Sequence, residues 1–116
     1  MRMAGLRDRT KSFAMRIIRL YSALPKSTVA QTLGRQLLRS GTSVAANFRE
    51  ASRARTDAEF VAKLGIVEQE LDESMLWMEL LVDSGIIPEE RISDLKREGD
   101  ELLRIVIASI RATRRK

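Results

Sequence analysis

A chain of 116 residues with net charge +5 is long enough for one hydrophobic core and too short for a second. It has no cysteine and no histidine, which excludes disulfides and thiolate zinc sites and removes the usual general base and neutral-pH switch; no metal and no cofactor are expected. The amino terminus, MRMAGLRDRTKSF, is charged throughout, and no apolar run approaches the ~20 residues that span a bilayer, so a soluble cytoplasmic protein with no membrane contact is the expectation.

The two prolines, Pro25 and Pro88, stand where helices should break. Between the breaks apolar residues recur at helical spacing, and no stretch alternates like a strand. The first helix is predicted over about Leu6 to Leu24, carried by Leu6, Phe13, Ile17, Leu20 and Leu24. After LPKS, Thr28 and Gln31 have the spacing of a capping box. A second helix then places Val29, Leu33, Leu37, Val44, Phe48 and Ala51 on one side. Gly41 lies inside it at a cost of about 1 kcal/mol relative to alanine, so a break there is one of two readings.

Thr56 and Glu59 form a second capping-box pattern. The third helix follows, with Phe60, Leu64, Val67, Leu71, Met75, Met78 and Val82 as its inner seam. DSGIIPEE ends it, with Gly85 past the last turn and Pro88 suited to the first turn of the next helix. In the fourth, Ile92, Leu95, Gly99, Leu102 and Val106 alternate by threes and fours, beside Leu103, Ile107 and Ile110. Four amphipathic helices with short connections predict an all-α, antiparallel up-down four-helix bundle that occupies residues 1–116 as one domain.

The third helix exceeds what a monomer requires. At ~100° per residue, Ala62, Ile66, Leu76, Trp77 and Leu80 form a second apolar patch behind the seam. Either Trp77 and Leu80 widen the core contact, or Ile66, Leu76, Trp77 and Leu80 form a subunit interface. The second reading is preferred, because contiguous exposed apolar patches mark such surfaces. A homo-oligomer is expected.

Two polar features stand out in LRSGTSVAANFREASRARTDAEF. Gln36, Ser40, Ser43 and Asn47 fall on the margin of the apolar face of the second helix. They read as buried structural polar groups: a serine bonding the carbonyl of the preceding turn, and Asn47 bonding across to a neighbouring helix. Arg35, Arg39, Arg49 and Arg53 lie within an arc of roughly 80° away from the apolar side. On the first helix Arg2, Arg9 and Arg16 repeat by sevens, and the tail adds Arg111, Arg114, Arg115 and Lys116.

Guanidinium groups suit phosphate. Arg16, Arg35, Arg39, Arg49 and Arg53 are therefore the candidate contacts for RNA or DNA, provided that the faces of the first two helices adjoin. With few aromatic residues, binding to the backbone without sequence readout is the most this surface suggests. The rival reading pairs the arginine face with the acidic edge Glu68, Asp72, Glu79 and Asp83 of a neighbouring subunit. Charge is segregated along the chain: residues 57–101 hold fourteen acidic against four basic side chains. Catalysis is not expected, since SGTSVAAN lacks the lysine and spacing of a P-loop and the Glu-x-x-His of di-iron bundles needs a histidine.

The run Ser43, Val44, Asn47, Phe48, Arg49, Glu50, Ala51 resembles a signature of the intervening-sequence, or S23, family of four-helix-bundle proteins. The pair Glu59-Phe60, the run Lys63 to Ile66, the Glu70, Glu73, Ser74 segment and the break at Ser84–Ile87 extend the match. Other members carry Ile-Ala-Glu-Gly where this chain reads Phe48-Arg49-Glu50-Ala51. The resemblance implies an up-down bundle assembling as a homopentamer. A similar branch, the accessory protein of diversity-generating retroelements, implies a reverse transcriptase and nucleic acid as partners. A structural oligomer or adaptor that never touches nucleic acid is the alternative.

Overall fold

The computed structural model describes residues 5–116; Arg2, the first of the heptad-spaced arginines, lies outside the described residues. Four helices run in order: α1 (Leu6–Ser22), α2 (Thr28–Ser52), α3 (Asp57–Asp83) and α4 (Ser93–Arg114), with a short 3-10 turn at Glu89–Arg91 before α4. No strand occurs among the described residues.

Side-chain contacts give the register. Ile17 and Tyr21 of α1 pack against Gly41 and Gly34 of α2. Ser40 meets Ser74, Ser43 meets Glu70 and Glu50 meets Lys63 across α2 and α3. Phe13 and Met75 both approach Gly99 of α4, and Arg9 reaches Glu98 and Glu101. Across α1 and α2 and across α2 and α3 one number rises as the other falls. Phe60 shares a cleft with Ser109 and Thr113, and Leu20 a groove with Ile92 and Leu95, so α4 also runs opposite to α3 and α1 and the bundle is up-down. Its envelope is 48 × 20 × 19 Å.

The inner faces meet in one core, where Phe13, Ile17, Leu37, Val44, Leu64, Leu71, Met78, Leu102 and Val106 have no exposed surface. Each such side chain contributes about 1.5–3 kcal/mol of burial. Where α1 crosses α2 the helices approach closely enough that a Cβ on Gly41 would collide with Ile17. Gly41 therefore permits a close crossing, and α2 runs unbroken through it.

The helix ends follow the expected chemistry at Thr56 and Gly85 but not at two others: Pro88, expected in the first turn of α4, precedes the 3-10 turn Glu89–Arg91 instead, and the cap of α2 is shifted. Thr56 caps α3, its side chain accepting from the Glu59 backbone N–H at 3.1 Å. Gly85, at φ 74°, supplies the left-handed residue past the end of α3. At α2 the cap is Ser27, which accepts from the Ala30 N–H at 3.3 Å, and not Thr28. Gln31 donates instead to the Pro25 carbonyl at 2.8 Å and accepts from the Tyr21 hydroxyl at 3.0 Å. At the same end Val29, assigned to the inner seam from its spacing, is 55% exposed and Ala30 is buried in its place. The buried stripe Ala30, Gly34, Leu37, Gly41, Val44, Phe48 and Ala51 steps by fours and threes, and Val29 stands one residue, about 100°, off it.

Candidate nucleic-acid interface

The five arginines expected on one face stand in three places. Arg39 leans over the α2–α3 seam, its Nη1 and Nη2 each donating to Glu70 at 3.2 Å and Nη2 also to Glu73 at 2.8 Å. The hydrogen bonds to Glu70, then its charge, hold the guanidinium above its ordinary pKa. Arg39 is thus engaged within the subunit.

Glu70 organises the polar margin of α2. It accepts from the Ser43 hydroxyl at 3.2 Å. Asn47 Nδ2 donates to the Ser43 carbonyl at 3.0 Å and to its hydroxyl at 2.8 Å. Asn47 therefore bonds within α2, where a bond to another helix was expected. The crossing bonds come from Ser43 and from Ser40, which meets Ser74 at 2.8 Å in full burial and also donates to the Leu37 carbonyl at 3.2 Å. Ser43 and Asn47 are half-buried, and Gln36 is exposed. About 100° round the helix from Leu37, a long amide reaches water.

Arg16 takes the opposite side of α1 from the one expected. Arg9, two turns earlier, forks onto Glu98 at 3.0 and 2.7 Å and reaches Glu101 at 2.7 Å. Those hydrogen bonds, Glu98 first, raise its pKa. Arg16 follows on the same stripe and, with Arg19 and Arg91, edges a groove of about 280 Å³ floored by Leu20, Ile92 and Leu95. It belongs to the α1–α4 seam and does not adjoin the arginines of α2.

Arg35, Arg49 and Arg53 remain exposed on the outer face of α2. The register of α1 against α2 brings Arg7, also exposed, level with Arg49. The larger convergence lies at the end of the bundle. Antiparallel packing sets the C-terminus of α2 beside that of α4, and Arg55 and Lys116 line one cleft there. Arg49, Arg53, Arg55, Arg111, Arg114, Arg115 and Lys116 are all exposed at this end. Two nearby carboxylates are neutralised: Glu50 by Lys63 at 2.6 Å, and Asp57 by Lys116 at 3.6 Å. Each arginine of the tail is legible in the chain; their meeting with Arg53 and Arg55 follows only once the helices alternate in direction.

The acids gather elsewhere. Asp72, Glu79 and Asp83 are exposed and Glu68 half-buried on α3. Glu68 and Asp72 edge a groove on the α3–α4 seam, floored by Gly65, Leu103 and Ile107. Exposed cations thus predominate on the outer face of α2 and at one end, where Asp8 and Glu59 are also exposed, and the exposed acids of α3 lie along another face. Behind the α3 seam, Ile66 is 37% and Leu76 46% exposed, while Trp77 and Leu80 are half-buried and Trp77 packs against the core. No helix among the described residues is long and apolar enough to cross a membrane.

Comparison with known proteins gives a family and a solved structure to which the chain is similar. Residues 6–108 match the family model described as 23S rRNA-intervening sequence protein. A crystal structure of a protein with unknown function, from the S23 ribosomal protein family of Bacteroides thetaiotaomicron VPI-5482, is 34% identical. It superposes with a TM-score of 0.89 over 96% of this chain and 99% of that one. None of the curated proteins matches.

Proposed function

The chain belongs to the 23S rRNA-intervening sequence protein family, and from that premise and the geometry of its basic end we propose that it is a non-catalytic, self-associating bundle that holds nucleic acid by the phosphate backbone. The observation that carries this reading is the convergence of the α2 C-terminus with the α4 C-terminus. It gathers Arg49, Arg53, Arg55, Arg111, Arg114 and Arg115 in solvent, while of the nearby acids Glu50 and Asp57 are held by lysines and Glu59 stands exposed. Exposed guanidinium groups with no carboxylate to satisfy them are suited to phosphate oxygens. Arg35 and Arg7 extend the surface along α2 and α1. Arg39 and Arg16 fall outside it. The described aromatic residues are too few on this surface to read a base sequence, so the contact is one of charge and shape.

Titration of labelled RNA or DNA at several salt concentrations tests this directly. The expected result is a log–log line falling steeply with salt, its slope close to the number of phosphates neutralised. Absence of binding at low salt overturns it.

A second reading has its own support in the apolar outer face of α3, where Ile66 and Leu76 stand in water. On that reading the bundle is a structural oligomer, with a homopentamer the form proposed, or an adaptor for another protein such as a reverse transcriptase. Nucleic acid then makes no direct contact. An assembly that forms at all salt concentrations without binding any polynucleotide would favour it.

A further inference from the structure

Between the α2–α3 turn and the last turns of α4 lies an open cleft of about 430 Å³, within the size range of sites for small organic groups. Its composition differs from that of the surface around it. Ala51, Ala54 and Ala112 make the apolar part, the half-buried ring of Phe60 forms a wall, and Arg55 and Lys116 are its cations. Two of the hydroxyls lining it donate their protons to the helix backbone, Ser52 to the Arg49 carbonyl at 2.7 Å and Thr113 to the Ser109 carbonyl at 2.8 Å, while the Thr56 oxygen accepts from the Glu59 N–H. What Ser52 and Thr113 offer a ligand is lone pairs. Asp57, drawn toward Lys116, adds further acceptor oxygens.

An interior with apolar walls, acceptor oxygens and one aromatic face suits a flat ring bearing N–H donors. Arg55 at its edge and the arginines around it suit phosphate. We infer that the cleft takes one unpaired nucleobase against Phe60 while the arginines at that end hold the flanking phosphates, so that the protein prefers single-stranded to base-paired polynucleotide. The inference rests on the preceding reading of the basic end and names the form of nucleic acid it takes. A paired base cannot present its face to Phe60 without leaving the stack, whereas a single strand presents one freely, and any base will serve because each has a π face.

The test compares two labelled single strands of equal length, one with its bases and one built of abasic nucleotides, which keeps the phosphates and removes the ring. Fluorescence anisotropy at low salt is expected to show the base-bearing strand bound at least about fivefold more tightly. Phe60→Leu preserves apolar volume against the core while removing the aromatic face. Ala112→Leu, at an exposed position, fills the cleft without touching the core. Both are expected to abolish the advantage and to leave binding of the abasic strand unchanged. Equal affinity for the two strands, or an advantage that survives both substitutions, overturns the inference and leaves backbone binding standing. Failure of both strands to bind overturns the proposed function itself, and the inference with it.

Discussion

Gly41 and Gly65 are both helical glycines, and the structure gives the same substitution opposite signs at the two. A Cβ on Gly41 would collide with the Ile17 δ-carbon and lie 3.1 Å from its γ-methyl. Ile17 is fully buried and β-branched, with little freedom to turn aside. Gly41→Ala is therefore expected to destabilise the bundle by about 1–3 kcal/mol, overpacking outweighing the gain in helix propensity. Gly65 is exposed with nothing near the added carbon, so Gly65→Ala is expected to stabilise by about 0.5–1 kcal/mol. Urea unfolding of the two variants reads both signs. Asn47 closes a chain of hydrogen bonds through Ser43 to Glu70 and Arg39. Asn47→Ala is expected to cost about 1 kcal/mol of stability while leaving polynucleotide affinity as it was. Lost affinity at unchanged melting temperature would give Asn47 a ligand and contradict its assignment to construction.

Among the elements, α3 stands apart because apolar residues occupy more of its circumference than its two helical neighbours cover. Trp77 belongs partly to the core: its ring packs against the cluster, and its Nε1 is buried with no acceptor among the described residues. A charge at Trp77 would disturb the fold as well as any interface. Leu76, 46% exposed, is the cleaner probe. Leu76→Glu is expected to reduce the particle measured by light scattering while leaving the helical content unchanged. An unaltered particle size would remove the outer face of α3 from the assembly contact. The second helix shows how far local pattern reaches: its period places Leu37, Val44, Phe48 and Ala51 correctly in the core. At its first turn the pattern misplaces Val29, because the buried stripe runs through Ala30, Gly34 and Gly41, small residues that an apolar period passes over.

For the molecule as a whole, charge is sorted in space more sharply than along the chain. Six of the cations bind carboxylates of the same subunit, namely Arg9, Arg39, Lys63, Arg97, Arg104 and Lys116. Such partly exposed pairs contribute little to stability individually, yet they decide which cations remain for a polyanion. Replacing Arg53 and Arg114 with glutamine is expected to flatten the salt dependence of binding by about one unit of slope each. Arg16→Gln is expected to leave it nearly unchanged, since Arg16 faces the α1–α4 groove. Equal effects from all three would mean that the polyanion wraps the bundle and does not sit on one end. The proposed site was only partly legible in advance. Arg35, Arg49 and Arg53 keep the outer face that helical spacing assigns them, whereas Arg39 is drawn onto Glu70 and Glu73 and Arg16 stands on the stripe of α1 that faces α4.

The order of amino acids by itself determined the four helices, the caps at Thr56 and Gly85, the composition of the core and the family signature. Each of these is a local matter, set by side-chain period and backbone preference over a few turns. Only the tertiary structure decided which cations are spent on Glu70, Glu73, Glu98 and Glu101, that Asn47 bonds within its own helix, and that α2 passes through Gly41 unbroken. It also decided that the ends of α2 and α4 meet around a cleft walled by Phe60. Those outcomes depend on groups tens of residues apart in the chain, and spacing along one helix carries no information about the helix beside it.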